Sequence, residues 1–164
     1  MRKAVAIALT GIVAMLLQTT VFPLVMPAGL APNLLLVLVV YLGVHQFGAW
    51  GALGAFVLGY FLDTFSGTVL GVHAFAFTAV YLGVHHVARV LWMESGLPAA
   101  VITFAAACAD GVIVLALTAL AGAGGGVVWR YALRYGLLDA TIAAAVTPLV
   151  FGLVSWEQRV LRAG

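Results

Sequence analysis

The chain has 164 residues, 65% hydrophobic and 7% charged, with a mean hydropathy of +1.22 and a net charge of +2. A soluble domain is roughly 45–50% apolar and about 25% charged, so 7 Lys+Arg and 5 Asp+Glu cannot coat a water-facing surface. The hydrophobicity excludes disorder, the shortage of basic residues excludes a nucleic-acid footprint, and what remains is a polytopic membrane protein.

Hydrophobic runs divide at Gly, Pro and charge. The first helix is expected over Ala4–Phe22, ended by Pro23 and Pro27, with Gly29 and Pro32 in a short loop. Its start, Met1-Arg2-Lys3, has the flavour of a signal peptide, but the run is long enough to span and is read as an uncleaved helix. The second covers Asn33–Phe47, with Asn33 as N-cap, and the third Ala49–Phe65. Ser66-Gly67-Thr68 is a turn, and the fourth helix covers Val69–Val90. Pro98 suits the first turn of a fifth helix over Leu97–Ala121. The run Gly122–Gly126 reads as a flexible break and Val127–Arg130 as an interfacial segment. The sixth helix covers Leu133–Trp156, with a kink at Pro148. The fold class expected is all-α: a membrane helical bundle of about six spans of ~20 residues each, one integral-membrane domain over residues 1–164. A re-entrant 127–134 stretch would make the count five.

With six spans both termini lie on one side, together with Arg2, Lys3, Arg89, Arg159 and Arg162, against Arg130 and Arg134 on the other. The positive-inside bias then puts both termini in the cytoplasm. Trp50, Trp92, Trp129 and Trp156 fall near helix boundaries, as interfacial anchors do.

Polar groups are few enough to take singly. Asp110 falls near the middle of the fifth helix, where a charged carboxylate costs several kcal/mol. It reads as a buried polar group, a lock between helices or an ion site, with Thr78, Thr141 or Asp139 as candidate partners. Gly51, Ala55, Gly59 and Asp63 repeat every four residues, which puts three small residues and a carboxylate on one slowly winding face. Small residues so spaced let two helix backbones approach closely. The face is a helix-packing or partner interface, with Asp63 as a polar contact or a solvated carboxylate at its end. A second such stripe runs through Gly136, Ala140 and Ala144 towards Pro148 and Gly152. His45, His73, His85 and His86 lie near helix ends and lack metal-ligand spacing. Cys108 is a small residue in an apolar run and has no second cysteine to pair with. Ser66, Ser95 and Ser155 sit at helix ends, no protease or phosphate-binding motif is present, and neither catalytic residues nor a cofactor are expected.

The order of residues in the second to fourth helices is distinctive: Pro32-Asn33-Leu-Leu-Leu, Tyr41-Leu-Gly43, Gly51-Ala-Leu-Gly54, Gly59-Tyr-Phe-Leu-Asp63, Ser66-Gly67 and Leu70-Gly71. With Gln18 and Pro23 before it, this ordered set resembles the MreD family of rod shape-determining inner-membrane proteins, best over about residues 15–90. Where that family often has Asp after the Pro, this chain has Asn33, which removes a charge and keeps a cap. The resemblance implies a non-enzymatic protein of the bacterial inner membrane. Its implied partners are the single-span MreC, RodA with its penicillin-binding partner, and cytoplasmic MreB filaments. It also implies a fold similar to the S components of energy-coupling-factor transporters. That likeness supplies the rival reading, a vitamin-binding transporter subunit.

Overall fold

In the computed structural model, residues 10–21, 24, 33–46, 48–66, 69–90, 96–122 and 126–163 are described. These residues are helical apart from short turns, with no strand among them. The first helix, α1, is described over residues 10–21 and winds its last turn, Leu17–Val21, as a π-helix. The others are α2 (Leu34–His45), α3 (Ala49–Ser66), α4 (Val72–Val90), α5 (Gly96–Leu120) and α6 (Gly126–Ala163). The all-α bundle expected from the sequence is therefore the fold. The Pro-rich stretch 25–32, Trp92, the start of the first helix and the terminal Arg2 and Lys3 lie outside the described residues.

The bundle is organised around α2. Its sequence, LLLVLVVYLGVH, is apolar on every side rather than along one stripe, which marks a helix enclosed by others. Ten of its twelve residues are buried, and it packs on α3, α4, α5 and α6. Asn33 caps it as expected, its Oδ1 accepting the Leu36 N–H at 3.2 Å. Gly43 has a packing reason: a Cβ there would lie 2.7 Å from the Val84 side chain of α4. At 12 residues α2 is about 18 Å long, well short of a ~30 Å hydrocarbon layer. Its flanking helices are longer, and two stretches, Pro98–Leu120 of α5 and Tyr135–Trp156 of α6, are long and apolar enough to cross a membrane.

Two described helix starts depart from the sequence reading by more than one residue. The fourth helix begins at Val72 rather than Val69, because Val69–Gly71 forms a turn in which Gly71 takes φ +96°, a conformation that favours glycine. The segment Val127–Arg130 is no separate interfacial piece: α6 runs unbroken for 38 residues from Gly126. Gly126 is the last of the glycines in the run, and nothing between it and Tyr135 breaks a helix. Pro148 lies inside α6 without ending it.

The α2–α3 connection is held from outside. The Tyr81 hydroxyl of α4 donates to the carbonyls of Gln46 at 2.8 Å and Gly48 at 3.1 Å, satisfying backbone oxygens where the helices leave them free. Tyr81 itself is 1% exposed. Tyr81→Phe keeps the ring and strands those carbonyls, so it is expected to cost about 1–3 kcal/mol, measured as a lower Tm in detergent.

Candidate functional site

The four-residue stripe of α3 is used inside the chain, against α4. The two helices form an antiparallel hairpin and make the most extensive helix–helix contact in the bundle. Ala55 is fully buried. A Cβ on Gly51 would run into the hydroxyl and ring of Tyr81. A Cβ on Gly59 would meet the His73 carbonyl and lie 2.6 Å from the Ala74 Cα, which is backbone against backbone. This is the close approach that small residues permit.

Asp63 ends the stripe, and it is not a solvated end carboxylate: it is 1% exposed. Its Oδ2 accepts the N–H of Gly71 at 2.9 Å and of Ala74 at 3.2 Å. Its Oδ1 accepts the N–H of His73 at 3.1 Å and the ring Nδ1–H of His73 at 2.8 Å. The reason lies in the turn. The first N–H groups of a helix lack intrahelical partners, and α4 is preceded by Gly71, which has no side chain to cap them. The Val72 N–H finds the Val69 carbonyl at 3.3 Å, and Asp63 takes the next two from the preceding helix. The positive end of the α4 dipole favours the negative charge there. Asp63 is thus a remote N-cap that ties the end of α3 to the start of α4.

His73 is the member of this site that sequence reasoning missed. Placed with the other histidines as a helix-end ring, it instead bonds Asp63 through its ring Nδ1 at 2.8 Å. A cap-less helix start following a helix with an Asp in its last turn was the available signal. The remaining histidines behave as rings: His45 stacks on Tyr41 with centroids 4.2 Å apart and His85 on Tyr81 at 5.7 Å, and His86 is exposed.

Asp110 is 8% exposed, and its Oδ1 has no hydrogen-bond partner. Two of the partners suggested for it are spent on their own helices, Thr78 on the Ala74 carbonyl at 2.8 Å and Thr141 on the Leu138 carbonyl at 2.7 Å. The third, Asp139, also has a buried Oδ1 without a partner. Among the described residues no group of three or more His, Cys, Asp or Glu is placed to hold a metal ion.

The second small-residue stripe divides. Ala140 is buried at 1%, whereas Gly136, Pro148 and Gly152 are exposed, and a Cβ on either glycine would meet nothing within 4 Å. The far side of α3 is open as well. Trp50, Leu53, Phe56, Val57 and Tyr60 are each about half exposed or more, and a shallow apolar groove of about 450 Å³ runs along Ala49, Trp50, Ala52, Leu53 and Phe56. One helix therefore presents a face of small residues to its own chain and a face of large aromatic and aliphatic residues outward.

No curated protein and no solved structure matches the chain. A family model described as "rod shape-determining protein MreD" matches residues 2–156. That span takes in the α3–α4 hairpin with its Asp63 cap and both helices long enough to cross a membrane. The chain belongs to the MreD family, membrane proteins that act in determining rod shape.

Proposed function

We propose that this protein is a non-catalytic, multi-pass scaffold of the bacterial inner membrane with both termini in the cytoplasm. It binds MreC, and within the elongation complex it works with RodA, its penicillin-binding partner and MreB filaments to regulate side-wall peptidoglycan synthesis. The observation that carries this reading is the family match across residues 2–156. The exposed outer face of α3 supports a contact on that side. The Gly51–Ala55–Gly59 face is filled by α4, so a partner helix meets the outward face of α3, where Phe56 and Tyr60 stack with centroids 6.4 Å apart. Large exposed apolar patches of this kind mark lipid or protein contact, and aromatic residues dominate the energetics of such contacts.

The test is co-purification from solubilised membranes. The tagged protein is expected to bring MreC with it. Phe56→Ala combined with Tyr60→Ala is expected to reduce capture about tenfold or more, the effect of losing one strong aromatic contact, while leaving Tm unchanged. A folded protein that captures no MreC rejects the partner. Full capture by the double variant moves the contact off this face.

A further inference from the structure

We propose that Asp110 is a proton-binding site within the membrane domain. Two buried aspartates in this bundle have opposite surroundings. Asp63 is saturated by three backbone N–H groups and a ring N–H, as a carboxylate requires. Asp110 has a buried oxygen with no donor at all, and it lies near the midpoint of Pro98–Leu120, a stretch apolar enough to cross a membrane. An ionised carboxylate with an oxygen buried without a donor or a cation is strongly disfavoured at membrane depth, and such a group takes up a cation or a proton. No described ion pair involves Asp110, and no described cluster is placed to hold a metal ion beside it. A proton is the cation that needs no further ligands.

The titratable groups on the surrounding helices are few. From α4 the titratable group is His73, whose ring Nδ1 bonds Asp63 of α3. The His73 side chain is 16% exposed, whereas that of Asp63 is fully enclosed, so His73 is the member of this group that meets the surface. From α2, the buried stretch Leu34–Gly43 offers no titratable group but Tyr41. On α6 the half nearest the α5–α6 turn carries Arg130, Tyr131, Arg134, Tyr135 and Asp139, and on α5 itself Cys108 is two residues away.

Dicyclohexylcarbodiimide reads this state directly, because it enters apolar sites and reacts with protonated carboxyls. The acid's oxygen adds to the central carbon of the carbodiimide and its proton goes to one nitrogen. Acyl migration then gives a stable N-acylurea, and nothing leaves. The purified full-length protein in detergent is treated with the reagent over a range of pH, and the adduct is located by peptide mass spectrometry. The expected result is an adduct on Asp110, absent from Asp63, falling about tenfold per pH unit once the site has titrated. The water-soluble carbodiimide is expected to leave Asp110 unmodified, and Asp110→Asn to remove the adduct. Because the mapping is done on the wild-type chain, the result does not depend on that variant folding. An unmodified Asp110 at acid pH, labelling that ignores pH, or equal labelling of Asp63 would overturn the proposal.

Discussion

Gly59→Leu is expected to prevent the protein from accumulating in folded form, and Gly59→Ala to lower its Tm by roughly 6–12 °C. The position differs from an ordinary packing site in what a new atom would strike. A Cβ at Gly59 lies 2.6 Å from the Ala74 Cα and 2.7 Å from the Ala74 N. Side chains can rotate away from an intruding methyl, but backbone in the first turn of α4 can only move if the helix moves. Extra atoms in a packed core cost about 1–3 kcal/mol when neighbours yield, and here the cost sits at the upper end for alanine and beyond it for leucine. Moving α4 outward would also stretch the bonds from Gly71, His73 and Ala74 to Asp63, one turn further along α3. The internal control is Gly83→Ala, at a position where a Cβ meets nothing within 4 Å. It replaces a helix-weakening residue with the best helix former, so Tm is expected to hold or rise slightly. Thermal unfolding in detergent with quantified membrane levels checks both. A Gly59→Leu protein at normal level and Tm would remove the packing role. A Gly59→Ala protein with unchanged Tm that nonetheless lost MreC would transfer the face from the chain to its partner.

What was legible in the sequence follows from how local each signal is. The apolar run after Asn33 declares α2 because enclosure on all sides needs nothing but apolar side chains and a cap. The Gly51–Ala55–Gly59–Asp63 repeat declares a close-packed face because the helix period alone brings those residues into line. Neither signal names the surface across from it, which depends on how tightly the chain turns at residues 66–72. For that reason His73 was not placed beside Asp63, although they are ten residues apart. The carboxylate's donors are mostly backbone N–H groups, which carry no sequence signature. Hydroxyl partners of Asp110 were misjudged for a related reason. In an apolar helix a threonine hydroxyl finds its own carbonyl four residues back sooner than a side chain on another helix, as Thr78 and Thr103 do. The reach of α6 was hidden by the glycines before it, whose flexibility reads as a break that extends further than it does.

Asp63→Ala is expected to be the most destabilising single substitution at a polar position, at about 3–5 kcal/mol, the range for removing one partner of a buried charged network. The loss is not that of an isolated ion pair. Alanine leaves the N–H groups of Gly71, His73 and Ala74 and the ring N–H of His73 without an acceptor at a site closed to water. Asp63→Asn is milder, about 1–3 kcal/mol, because one oxygen remains while the amide turns its own N–H groups on backbone donors. Asp63→Glu keeps the charge but pushes a methylene into a side-chain site with no exposure, so charge alone does not rescue the cap. His73→Gln removes only the ring contact and leaves the three backbone bonds in place, so its cost is expected to be the smallest of the four. Thermal unfolding ranks the variants, and hydrogen exchange separates the mechanisms. If Asp63 acts as a cap, Asp63→Asn accelerates exchange at the amides of residues 71, 73 and 74, while His73→Gln barely changes them. If the side-chain ion pair were the dominant contact, the two substitutions would accelerate those amides alike, and the account of α4 as a helix capped from its neighbour would fail.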